Sequence, residues 1–198
     1  MSQEKINRYL FHILIMAESY IVLGPPRTGT SLTMGTLAAM GVWVGENMRK
    51  GSNNPNYYEA VEIQKFIHGR ISAEKLVSSL RKEPKWGMKH PRLIVRWDEL
   101  EPLIESPHFI ITHRRDFQAQ CKSHCIAIRR QTNRAIRKRN LQYYDRVNEI
   151  VRDRPRLDVW FEDWFLEEYV QLHAIAKFAK VEITEAAKSL PDPRLKHY

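Results

Sequence analysis

Two rhythms of apolar and polar positions alternate along the chain. Short, nearly continuous apolar runs rich in β-branched and aromatic residues stand at 20–23, at 109–112 and at 158–161, and a further strand ends within 86–92. Runs of this length without a polar face suit strands buried on both sides, as in a parallel sheet. Between them the spacing changes to helical. Helices are predicted over 32–40, stopping at Gly41, and from Tyr57 through Ile63, Phe66 and Ile67 to Gly69. Another covers 72–82, with Ser72 as its cap and Leu76, Val77 and Leu80 inward. Asp116 caps a helix that continues through a basic run to a break near Asn140, and helices over 164–180 and 184–190 close the pattern. Strand and helix in alternation predict an α/β domain with a central parallel sheet, helices on both faces, and a site at the strands' carboxyl ends.

The start of the chain changes this picture little. An apolar run at 9–16 follows Lys5 and Arg8, but it includes His12 and is too short to span a bilayer, so a leading helix packed on the domain is expected. No repeat or low-complexity segment interrupts the pattern, and one domain over 1–198 with its core at about 19–180 is the expected organisation. An apolar fraction of 43% is that of an ordinary globular protein, whereas a net charge of +9 favours anionic partners. Cys121 and Cys125, one helical turn apart, form neither a disulfide framework nor a zinc set; reduced structural thiols and a cytoplasmic location are expected.

Chemistry enters at the first strand–helix join. Gly24, Pro25, Pro26, Arg27, Thr28, Gly29, Thr30 and Ser31 link the two elements. A glycine lets backbone N–H groups close on an anion, and the following helix start adds unpaired donors and a positive dipole end. The spacing Gly24-x4-Gly29 is that of a nucleotide-triphosphate loop, but Thr30 stands where that loop needs lysine, and the cation sits earlier, at Arg27. Further on, Trp86-Gly87-Met88-Lys89-His90-Pro91-Arg92 brings Lys89 and His90 to a strand end. Arg115 ends another strand, and Ser123 follows it eight residues later inside the next helix. An arginine there suits a phosphate, because its planar fork donates two parallel hydrogen bonds.

The run Pro26-Arg27-Thr28-Gly29-Thr30-Ser31 resembles the P-R-S-G-T-[ST] loop of the sulfotransferases, which bind the 5′-phosphosulfate of 3′-phosphoadenosine-5′-phosphosulfate (PAPS). The Trp86–Arg92 segment is similar to that family's W-x-x-K-D-P-R, Arg115 and Ser123 to its 3′-phosphate pair, and Val159 to Asp163 to its V-x-Y-E-D. Gly41 to Glu46 and Asn54 to Glu59 resemble G-V-x-x-G-E and N-P-x-G-Y-F-E segments of its bacterial members. The resemblance implies a three-layer P-loop-type α/β fold and a PAPS-dependent enzyme that moves a sulfuryl group to a hydroxyl or amine. It implies that Pro26, Arg27, Thr28, Gly29, Thr30, Ser31, Arg115 and Ser123 bind the nucleotide, and that Arg27 and Lys89 act on the reacting group. For the base it leaves Glu46, His90 and Glu59, with Glu46 leading because tyrosylprotein sulfotransferases place a glutamate in a similar segment. No metal is required in principle, since a sulfuryl group carries less charge than a phosphoryl group. The acceptor stays open among a sugar, a peptidyl tyrosine and a small metabolite.

Two other classes fit parts of the pattern. A P-loop small-molecule kinase would use the same loop with magnesium and a triphosphate; Thr30 and the Arg115/Ser123 pair count against it. A non-catalytic polyanion-binding protein would use the basic run from Arg129 to Arg139 alone. Nucleic acid is disfavoured, because only Tyr143 and Tyr144 accompany that run as stacking partners.

Overall fold

A computed structural model describes residues 17–48, 58–128, 133–166 and 168–191. The sequence expectations for the leading helix, the loop of residues 49–56, Arg129 and Arg130, and the tail from residue 192 lie outside these residues.

Among the described residues, four strands form one parallel sheet: β1 (Glu18–Leu23), β2 (Lys85–Lys89), β3 (His108–His113) and β4 (Arg156–Trp160). Their spatial order is β2-β1-β3-β4, so the chain reverses its direction of travel across the sheet at β1. The register pairs Val22 with Lys89, Leu23 with Ile111 and His113 with Trp160, which brings the carboxyl ends of all four strands to one edge. That edge, beside the switch in strand order, is where ligands of open α/β sheets bind.

β1 shows why both faces must be covered. Ile21 and Leu23 point into one core cluster and Tyr20 and Val22 into another, the two-residue alternation of a strand. On the first face pack α2 (Val61–Ile67), α3 (Ala73–Leu80), α4 (Trp97–Leu100) and α6 (Asn133–Val151), through residues such as Phe66, Leu76, Trp97 and Val147. On the other, α1 (Thr30–Ala39) and α7 (Val170–Ala179) supply Met34, Leu37 and Ile175. α5 (Phe117–Ile128) packs with α6, and α8 (Glu185–Lys188) against the far end of α1. The expected three-layer α/β arrangement is therefore the observed one. No helix among the described residues is long and apolar enough to cross a membrane.

Local signals held where a polar side chain could close an end. Ser72 accepts from Lys75 N at 3.3 Å and Asp116 from Ala119 N at 2.8 Å, and Thr184, not singled out in the sequence, caps α8 by accepting from Ala187 N at 3.1 Å. Both cysteines are free thiols, and Cys121 is buried. Three expectations need correction. Helix α2 begins at Val61 rather than Tyr57, because Tyr58 is left-handed (φ 50°) and Ala60 is extended, bridging to Met48. No break occurs at Asn140: it continues the buried row of Ile136, Tyr143 and Val147 and donates to Cys121 Sγ at 3.7 Å. The last long helix starts at Val170, not Trp164, since Trp164 enters the core from a 3₁₀ turn (Phe161–Phe165) and Tyr169 is left-handed.

Candidate functional site

The loop between β1 and α1 lies at the carboxyl edge and is braced from behind. A Cβ on Gly24 would come within 1.9 Å of Thr112 Oγ1 and 2.9 Å of the Thr112 carbonyl, so only glycine lets the chain leave β1 this close to β3. Arg27 (φ 73°) and Gly29 (φ 88°) are left-handed. For arginine that conformation costs on the order of 1 kcal/mol, which the surroundings must hold. They do so at successive residues. Gly24 N donates to Tyr143 Oη (3.2 Å), and Gln120 Nε2 donates to the Pro26 carbonyl (3.4 Å). Arg27 Nε donates to Ser123 Oγ (2.8 Å), and Thr28 Oγ1 donates to the Pro25 carbonyl (2.8 Å). Thr28 and Thr112 hydroxyls lie 2.6 Å apart. Thr28 is fully buried, so its role here is to shape the loop. The first turn of α1 then presents N–H groups without intrahelical acceptors, and it contains no acidic residue to compete with an incoming anion.

Beside this loop sits a buried cluster of charges. Lys89, the last residue of β2, donates to Glu59 Oε1 at 2.7 Å and to Ser31 Oγ at 3.1 Å. The side chains of Lys89 and Glu59 are 3% and 4% exposed. Gln64 Nε2 of α2 donates to Glu59 Oε2 at 3.0 Å, and His90 Nε2 faces the same oxygen at 3.9 Å. His90 Nδ1 accepts from Arg92 N at 3.0 Å, which leaves the neutral ring's proton on Nε2. Removing an ammonium and a carboxylate from water is expensive, so such a pair persists only with good geometry and further hydrogen bonds. Ser31 and Gln64 supply those bonds, and the result is a cation held one hydrogen bond from the first turn of α1.

Arg115 and Ser123, paired in the sequence reading, point apart. Ser123, buried on α5, turns to Arg27. Arg115, whose side chain is 53% exposed, makes a two-pronged pair with Asp163, with Nη2–Oδ2 at 2.9 Å, and lies over the Trp160 ring. The Arg115 guanidinium holds the Asp163 carboxyl below its ordinary value. Glu46, the leading base candidate, is 59% exposed and ion-paired to Lys82 Nζ at 2.5 Å. The structure thus gathers Arg27, Thr28, Ser31 and Ser123 around one loop and Glu59, Lys89 and His90 beside it, and sets Glu46 on a surface lysine. Arg134, Arg137, Lys138 and Arg139 are exposed along α6.

Sequence reasoning missed Tyr143, Gln120, Thr112 and Gln64. Burial pushes the Tyr143 phenol far up, so it stays protonated. Its place in the apolar row of α6 was a readable sign that its ring is buried, but its loop partner lies 119 residues away. His124, next to Ser123, is buried and pushed down to about 4, by burial first and then by the cations Arg139 and Arg27.

Neither a protein-family profile nor a curated protein matches the sequence. Solved structures do match it in shape. The sulfotransferase domain of the Synechococcus PCC 7002 olefin synthase aligns at a TM-score of 0.61 and 15% identity, over 92% of this chain and 83% of that one. Sulfotransferase STF9 from Mycobacterium avium aligns at 0.58 and 12% identity, over 98% of this chain and 72% of its own. Sulfotransferase STF1 from Mycobacterium tuberculosis H37Rv aligns at 0.57 and 12% identity, over 97% and 75%. The chain has the sulfotransferase fold. At these identities the likeness speaks for the fold.

Proposed function

We propose that the protein is a PAPS-dependent sulfotransferase acting on a hydroxyl or amine acceptor. The observation that carries this reading is the buried Lys89, held 3.1 Å from Ser31 in the first turn of α1, just after the strained loop that bears Arg27. A phosphosulfate fits that arrangement: loop and α1 N–H groups and the Thr30 and Ser31 hydroxyls hold its oxygens, and Arg27 and Lys89 balance their charge. The 3′-phosphate falls to Arg115 and Ser123, with Arg115 exchanging Asp163 for the phosphate. PAPS, when bound, supplies the sulfuryl group.

Transfer asks three things of the protein: a base for the acceptor proton, cations for the charge that grows on the leaving phosphate, and donors that keep the group in line. Lys89 and Arg27 provide the cations, and the braced loop provides the line. For the base the geometry favours Glu59 over the other two candidates. Glu46 is exposed and occupied by Lys82. His90 has one ring nitrogen accepting from Arg92 N and directs the other toward Glu59. Glu59 is buried against Lys89, next to the loop. Incubation with labelled PAPS and a panel of sugars, tyrosine-containing peptides and small phenols and amines tests the reading. Transfer of label to one class is expected. Transfer of phosphate from ATP–magnesium, with none from PAPS, would replace it with the kinase reading.

A further inference from the structure

One surface carries charge that the loop and its buried cluster do not use. From Phe117 to Tyr144 the sequence holds seven lysines and arginines and no aspartate or glutamate. In α6 the row Ile136, Asn140, Tyr143 and Val147 is buried. Arg134, Lys138 and Leu141 stand at i, i+4 and i+7 on the opposite side, with Arg137 on its flank. All four are exposed, Leu141 by 50%. On α5, Lys122 and Ile126 lie one turn apart and are exposed as well, Ile126 by 65%. Among the described residues no carboxylate pairs with Arg134, Arg137 or Lys138. Arg137 lies over the Phe117 ring, whereas Arg146, further along α6, is held by Asp98 and Glu149.

The fold sets where this face lies. Tyr143 meets the loop at Gly24 N, and residues 152–155 lead from the end of α6 into β4 at the opposite edge of the sheet. The half of α6 before Tyr143 is therefore its carboxyl-edge half, and at 1.5 Å per residue Arg134 stands about 13 Å further along the helix. The outer side of a helix is convex and offers a chain-like partner no groove. Nucleic acid would also want stacking rings, but Tyr143 is buried and Tyr144 is stacked on His113. Cations around an exposed leucine and isoleucine suit a flat anionic surface with an apolar layer beneath it. The charged heads meet phosphates, and the apolar side chains enter the interface.

We propose that the outer faces of α6 and α5 dock the protein on an anionic lipid surface, with Lys122, Arg134, Arg137 and Lys138 on the headgroups and Ile126 and Leu141 in the interface. The proposal stands apart from the sulfotransferase reading. Each cation near such a surface strengthens binding about fivefold, so three together supply about 10²-fold. Sedimentation of the full chain with vesicles of phosphatidylcholine, alone or with about one-third phosphatidylglycerol, tests it. Binding is expected to need the anionic lipid and to weaken as salt is raised. Arg134→Gln/Arg137→Gln/Lys138→Gln should bind about 10²-fold more weakly and keep the wild-type melting temperature, since these side chains are exposed. Arg134→Lys/Arg137→Lys should bind as the wild type does, because a charged surface reads charge, whereas a site built on arginine forks would lose affinity. Wild-type protein that ignores anionic vesicles, or that binds heparin or duplex DNA in their place, would overturn the proposal. So would equal vesicle binding by the glutamine variant, or a loss of binding in the lysine variant.

Discussion

Tyr143→Phe removes one oxygen from the centre of the loop brace and leaves the ring in place. In the wild-type protein Tyr143 Oη accepts from Gly24 N at 3.2 Å in a buried setting. The variant leaves that N–H buried without its acceptor, which costs about 2 kcal/mol within the usual range for an unsatisfied buried donor. For a chain of this length, roughly 2–4 °C of melting temperature accompany each kcal/mol, so Tm should fall by roughly 4–8 °C. The effect on ligand binding is separate. With its first residue released, the loop must be reordered by the ligand, at about 1–2 kcal/mol for one residue's backbone. PAP affinity should therefore fall about tenfold, which is about 1.4 kcal/mol. Differential scanning calorimetry and titration calorimetry on the same preparations read both numbers. A fall in Tm with unchanged PAP affinity would refute the brace as a determinant of binding, and no change in either would refute the hydrogen bond itself.

Glu59→Gln should lower turnover by about 10²-fold or more, while Glu46→Gln stays near normal; steady-state assays with labelled PAPS give both, and the reverse order would return the role to Glu46. Arg115→Ala should weaken PAP by about 2 kcal/mol and leave adenosine 5′-phosphosulfate, which lacks the 3′-phosphate, unaffected; equal losses for the two nucleotides would remove Arg115 from the 3′-phosphate site. His124 is held at about 4 in the folded protein against an ordinary 6.5, so between these values the unfolded chain binds the extra proton. Its contribution to stability is then complete above pH 6.5 and declines as pH falls toward 4. His124→Gln should flatten that part of the denaturation-versus-pH curve, and an unchanged slope would show that other groups produce it.

How far the sequence speaks for the structure depends on the range of each interaction. β1 was legible because residues 20–23 are apolar on both faces, which a doubly covered strand requires. The Ser72 and Asp116 caps were legible because a cap and its N–H lie three residues apart. Asn140 misled because a polar residue in a helical run reads as a stop, and only the packing of α6 on α5 shows that it belongs to the buried row. The site was harder still. Arg115 and Asp163 are 48 residues apart, and Lys82 and Glu46 are 36 apart. Such pairs are set by the assembled sheet edge, and no local pattern encodes them. Glu59 escaped first place for a local reason: the left-handed Tyr58 and extended Ala60 take it out of the helix that its neighbours suggested and direct it to Lys89.

Titration of the full chain with PAP and, separately, with ATP–magnesium tests the central claim most directly. A ligand that binds only the folded protein raises its stability by mass action, so calorimetric affinity and the shift in Tm should agree. The loop carries Thr30 where a triphosphate site needs its lysine, and the 3′-phosphate proposed for Arg115 and Ser123 is a group that ATP lacks. PAP is predicted to bind more tightly and to raise Tm more than ATP–magnesium. Tighter binding of ATP–magnesium, or a Tm indifferent to PAP, would contradict the account.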